Sequence, residues 1–132
     1  MTVVFDTNVM VAALATSGLC HELVHRAIRL RILASSNPLL HELEHTLHDK
    51  FGLSPSTTPF LTAFRSAIRV VDPLPLPHKV SRDPADDVVL ATAVAAGAEI
   101  IVTGDQDLLV LKEYQGIAIV TPRAFLEALD QA

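Results

Sequence analysis

DPADDVVLATAVAAGAEIIVTGD, residues 83–105, reads as a helix followed directly by a buried strand. Asp83 is a favoured helix N-cap and Pro84 suits the first helical position. Asp86, at the third, completes a capping-box pattern and favours the helix dipole. The Ala and Val residues that follow suit close packing between a sheet and a neighbouring helix, and Gly97 supplies the stop. Glu99 to Asp105 then carries a short β-branched run, Ile100 to Val102, apolar on both faces as a parallel strand covered on both sides requires. The strand ends on an acid, Asp105.

The same grammar holds outward from this stretch. Val3 to Asp6 is a first strand, also ending on an acid, and Asp6-Thr7-Asn8 has the composition to cap a following helix. Leu19 to Leu30 is an amphipathic helix with Leu23, Ala27 and Leu30 on one side, and Ile32 to Ser35 is a second strand. Asn37-Pro38 supplies a cap and a first-turn proline for a helix whose stripe is Leu39, Leu40, Leu43 and Leu47. A further helix is expected from about Ser56 to Ala67, a short strand near Val70 and Val71, and a helical segment over DLLVLKEY at 107–114. A strand IAIVT and a closing helix from Pro122 through Leu129 follow. Alternating strands and helices predict an α/β fold with a parallel sheet covered on both faces. The proline-rich stretch 72–80 is too short to divide the chain, so residues 1–132 are expected to form one domain.

Composition narrows the function classes. No apolar segment is long enough to span a bilayer, and Asp6 interrupts the N-terminus where a signal peptide would carry basic residues and an apolar core. Cys20 is the single cysteine, which fits a reducing compartment, so the cytoplasm is expected. The net charge of −5 at first argues against nucleic acid. Seven of the fifteen acids, however, are Asp6, Glu42, Asp83, Asp86, Asp87, Asp105 and Asp107, drawn from four segments: FDTN (5–8), HELEH (41–45), DPADD (83–87) and TGDQD (103–107). With those seven set aside, the remaining ionisable residues carry a net +2.

Open α/β sheets bind ligands at the carboxyl ends of their strands, where Asp6 and Asp105 sit. Carboxylates converging there repel one another unless protons or cations neutralise them, so a divalent-metal site is the first hypothesis. Asp83 and Asp86 have full explanations as caps, and Asp6 and Asp105 can each cap the next helix; Asp87 has no capping role. Glu42 lies about 100° from Leu43, on the flank of the apolar stripe, from which it reaches the sheet edge. His41-Glu42-Leu43-Glu44-His45 also matches HExxH, the zinc-protease helix motif, but residues 52–71 offer no Asp, Glu or His as a third ligand.

The ordered set FDTN, LLHELEHTL, RDPADDVVLATAVAAGA, IIVTGDQDLL and IVTPRAFLEAL resembles the PIN-domain family, especially its stand-alone prokaryotic members regarded as toxins of toxin–antitoxin pairs (the VapC-like branch), over essentially the whole chain. The resemblance implies a three-layer α/β/α fold with a central parallel sheet and a Mg²⁺- or Mn²⁺-dependent ribonuclease. It also implies a homodimer and a small antitoxin partner that covers the site. Matched residue by residue, Asp6, Glu42, Asp87 and Asp105 are the family's four acids. Asp86 is an alternative register to Asp87, Asp107 is a further acid, and Thr7, Asn8 and Thr103 are the small polar neighbours. The histidines flanking Glu42 and the extra acids depart from the pattern.

Hard cations held by these oxygens would activate water and stabilise charge during in-line attack on an RNA phosphodiester, leaving a 5′-phosphate and a 3′-hydroxyl, as the resemblance implies. Arg82 is the candidate phosphate contact, followed by Arg65, Arg69 and Lys79. Two other readings stand beside this one: a non-catalytic module of the same fold whose acidic pocket binds a cation or a partner's arginine, and a zinc metalloprotease using HELEH. An aspartyl-phosphate hydrolase is disfavoured because no second Asp stands two residues after Asp6.

Overall fold

Val3, Val4 and Phe5 are fully buried and form strand β1 (Val3–Phe5), the centre of a sheet in the computed structural model, which describes residues 1–52 and 58–131. Chain order continues with helices α1 (Thr7–Ala15) and α2 (Leu19–Arg29), strand β2 (Leu33–Ser36), helices α3 (Asn37–Phe51) and α4 (Thr58–Ser66), and strand β3 (Arg69–Val71). Helix α5 (Pro84–Ala96), strand β4 (Ile100–Val102), helix α6 (Gln106–Leu109), strands β5 (Glu113–Tyr114) and β6 (Ile117–Val120), and helix α7 (Pro122–Asp130) complete it. The strands are ordered β3-β2-β1-β4-β6-β5, parallel except for β5, which runs antiparallel to β6.

Both faces are covered. Thr92 of α5 hydrogen-bonds Ser36 at 2.8 Å, and Ser36 shares a face with Ala34 and its register partner Val4. Phe5 points the other way and meets Phe125 of α7 edge-on, ring centroids 5.8 Å apart. Helices α5 and α7 therefore lie on opposite sides of the sheet, giving the expected three layers. The buried core runs through both interfaces, each fully buried large apolar side chain contributing about 1.5–3 kcal/mol.

Local signals place the elements closely. Asp83 accepts from the Ala85 amide to cap α5, and Gly97 ends that helix at φ 64°, a left-handed conformation a side chain would strain. Ser36, rather than Asn37, caps α3; its hydroxyl accepts from the Leu39 amide and Asn37-Pro38 form the first turn. Leu30 falls one residue past α2 and is exposed, unlike Leu23 and Ala27. The segment expected to be helical over 107–114 divides into α6 and β5. Gln115 and Gly116, at φ 48° and 82°, make a tight two-residue connection that folds Tyr114 back against Ile117. The expected start of α4 at Ser56 lies outside the described residues.

Sheet order positions the site. From β1 the chain winds outward through β2 and β3, then returns through α5 to β4 on the other side of β1. The crevice between the ends of β1 and β4 is thus a topological switch point, the usual ligand position in such sheets. Asp6 follows β1 and Asp105 follows β4.

Candidate metal centre

Phe5 pairs with Val102 in the last parallel register step, so Asp6 comes opposite Thr103, and the Asp6 amide donates to the Val102 carbonyl at 2.9 Å. The side chains continue the pairing: Thr103 Oγ1 donates to Asp6 Oδ2 at 2.7 Å while accepting from the Asp105 amide at 3.0 Å. One hydroxyl therefore ties both strand-end acids together. Asp6 stands at the N-cap position of α1 without a side-chain capping bond, and is only 7% exposed. Burial raises its pKa above the ordinary carboxylate value, opposed by the Thr103 bond and the amides of Thr7 and Asn8, and reinforced by the charge of Asp105.

Asp86, Asp105 and Asp107 each present a carboxylate oxygen, and these oxygens lie within 4.8 Å of one another. Asp105 reaches this point from a β4-to-α6 turn and also caps α6 through the Asp107 amide at 2.9 Å. Asp86, 4% exposed, is held by the Ser81 hydroxyl at 2.9 Å. Its pKa is pushed up to about 6, first by burial, which the Ser81 bond opposes, and further by a hydrogen bond with Asp105 and the charges of Asp105 and Asp83. Oxygens gathered this closely are the donors that a hard divalent cation takes, and Asp86, Asp105 and Asp107 would hold one. Carboxylates gathered this closely repel one another, and a divalent ion among them would relieve that repulsion.

Asp87 does something else. Its Oδ2 accepts from the Val80 amide at 3.0 Å and its Oδ1 from the Ser81 amide at 2.8 Å, clamping the loop before α5. The two registers left open by the sequence are thus separated in space: Asp86 joins the gathered carboxylates and Asp87 faces the loop. Asp86 does not close a capping box, because the Asp83 amide donates to Ser81 Oγ at 3.3 Å instead. Ser81, which the sequence reading did not single out, therefore orients both acids; its local signature is a hydroxyl two residues before the Asp-Pro helix start.

Glu42 is exposed on α3 and is not one of the three gathered acids; its Oε2 accepts from Thr7 Oγ1 at 3.3 Å. Thr7 is buried at the start of α1, whereas Asn8 is exposed. Arg82 grips Asp107 with two bonds, Nε to Oδ2 at 3.0 Å and Nη2 to Oδ1 at 3.1 Å. Arg65 bonds Asn37 and Arg69 bonds the Ala96 carbonyl, so both are engaged within the fold. His41 and His45 are exposed, His45 pairs with Asp49 at 3.1 Å, and neither joins a metal-sized group among the described residues. No described helix is long and apolar enough to cross a membrane.

Residues 2–107 match the family model described as the PIN domain. No curated protein matches this sequence. Among solved structures, the crystal structure of PAE2754 from Pyrobaculum aerophilum superposes with a TM-score of 0.66, over 100% of this chain and 91% of that one, at 19% identity, a likeness of fold. PIN domains are typically metal-dependent nucleases acting on nucleic acid, and the gathered acids here suit a divalent ion. With four-fifths of its length matched in order, from β1 through the acids after β4, the chain belongs to the PIN-domain family.

Proposed function

We propose that this protein is a Mg²⁺- or Mn²⁺-dependent endoribonuclease, the toxin of a toxin–antitoxin pair, acting in the cytoplasm. The observation that carries the nuclease reading is the convergence of Asp86, Asp105 and Asp107 within 4.8 Å at the β1/β4 switch point, beside buried Asp6. Asp6, Asp86 and Asp105 are the proposed cation ligands, with Asp107 and Glu42 completing the site directly or through water. A divalent ion held there supplies Lewis-acid stabilisation for in-line phosphodiester hydrolysis.

The chain's own residues prepare the site. Thr103 fixes the separation of Asp6 and Asp105, Ser81 orients Asp86, and Thr7 holds Glu42 toward the same end of the sheet. Asp87 is given the supporting task of holding the loop that carries Ser81. Arg82, with its side chain 83% exposed, is available to a phosphate of the RNA.

A small antitoxin and a homodimer are proposed on the family likeness. The partner reading is supported by an apolar groove of about 390 Å³ lined by Pro38, Pro73, Leu74, Leu76, Val88 and Ala91, with Leu74 widely exposed. Incubation of labelled RNA and DNA with Mg²⁺, Mn²⁺ or EDTA tests the activity. Metal-dependent RNA products ending in 5′-phosphate, lost in Asp105→Asn, are expected.

A second reading, a non-catalytic acidic pocket, draws on the Arg82–Asp107 pair, since one carboxylate already receives a guanidinium. Cation binding without cleavage of any nucleic acid would favour it over the nuclease.

A further inference from the structure

Asp107 is claimed twice. Both of its oxygens accept from Arg82, yet one of them is also among the three carboxylate oxygens gathered within 4.8 Å. The Arg82 fork reaches across from the loop before α5 to the first turn of α6, and its neighbour Ser81 holds Asp86. A planar, permanently charged guanidinium matches a carboxylate bidentately and withdraws lone-pair density that a hard cation would otherwise use.

We infer that Arg82 is a built-in counter-ion that competes with the divalent cation for Asp107 and thereby weakens cation binding. This rests on the proposed metal site. Arg82 makes no other side-chain hydrogen bond among the described residues and lies largely in solvent, so releasing Asp107 breaks no buried contact. An ion pair this exposed is weak enough for a divalent ion to displace and strong enough to shift its occupancy. Release also frees the two guanidinium donors, on Nε and Nη2, that Asp107 had occupied.

Calorimetric titration of the full chain with Mn²⁺, read as affinity and needing no turnover, tests this. Arg82→Ala is expected to bind Mn²⁺ about two- to five-fold more tightly than the parent chain. In an Asp107→Asn background the same change is expected to do little, because the shared carboxylate is gone. Equal tightening in both backgrounds would mean that Arg82 acts as a general nearby charge, and an unchanged affinity would mean no competition; either overturns the proposal. Should Asp107→Asn bind too weakly to titrate, Arg82→Lys decides. Lysine keeps the charge and loses the fork, so tighter binding than the parent supports competition through the fork, and unchanged binding overturns it. A parent chain that binds no Mn²⁺ would instead remove the metal site itself, a result separable from failure of the counter-ion role.

Discussion

Thr103 Oγ1 donates to Asp6 Oδ2 at 2.7 Å, closing with a side-chain bond the step just beyond the last backbone register pair of β1 and β4. The strand register thereby becomes the spacing of the site, because Thr103 accepts from the Asp105 amide at the same time. An error of one residue in that register would turn the acids to opposite faces of the sheet.

Replacing Thr103 by Val keeps the shape and removes the hydroxyl. Asp6 would stay buried without its donor and the Asp105 amide would lose its acceptor, at a cost of about 1–3 kcal/mol. Urea unfolding should show that loss in Thr103→Val and near-parent stability in Thr103→Ser. A valine variant as stable as the parent would mean that the hydroxyl does not hold the acids.

Asp86 sets a pH dependence of unusual sign. An unperturbed aspartate has a pKa of 3.8 and Asp86 one of about 6 in the folded chain, so between those values the folded state binds more protons than the unfolded. Stability from this group is full below about pH 4, declines as pH rises toward 6 and then levels, opposite to a salt-bridged carboxylate. The difference in unfolding free energy between the parent and Asp86→Asn, measured in EDTA, should therefore move against the parent across that window. Saturating Mn²⁺ should reverse the trend above pH 6, since cation and proton compete for the same oxygens. A difference that moves in the parent's favour in EDTA contradicts the assignment.

Asp87 should reveal itself in stability. Its two oxygens take two backbone amides, and asparagine has one carbonyl oxygen to offer, so one amide loses its partner. Asp87→Asn should cost about 1–3 kcal/mol in thermal or urea unfolding while leaving Mn²⁺ affinity unchanged. Weakened Mn²⁺ binding with intact stability would assign Asp87 to the cation after all.

Adjacent serines of β2 should respond in opposite ways. Ser35 Oγ is buried with no hydrogen-bond partner among the described residues, so Ser35→Ala should be neutral or slightly stabilising. Ser36 caps α3 and bonds Thr92, so Ser36→Ala should cost about 1–2 kcal/mol. Equal melting temperatures for the two variants would show that the hydrogen bonds of Ser36 add no stability.

The architecture was legible wherever a local rule had no rival. Asp83-Pro84 and Gly97 bracket α5, and the β-branched runs before Asp6 and Asp105 mark the two central strands. Residues 107–114 misled because Leu108, Leu109 and Leu111 suit a helix, while the Gln115-Gly116 turn that forces β5 carries little propensity of its own. Acids at the ends of β1 and β4 and at the start of α5 could be read from the chain; which of Asp86 and Asp87 lies with Asp105 and Asp107 could not. Asp86 and Asp87 occupy the same helical turn about 100° apart, and which one faces the crevice depends on the path of Val80 and Ser81, a tertiary property. The pairing of Arg82 with Asp107 across 25 residues was equally out of reach, since only the fold brings α6 beside the loop before α5.

Mn²⁺-dependent cleavage of a labelled single-stranded RNA by identically prepared parent, Asp86→Asn and Asp87→Asn proteins, at a temperature where all three are folded, decides whether Asp86 or Asp87 serves the cation. Asp86→Asn is expected to lose about a hundredfold or more in rate and Asp87→Asn to cut at close to the parent rate. Cleavage retained in Asp86→Asn and lost in folded Asp87→Asn, or no cleavage by the parent with any divalent ion, would contradict that expectation.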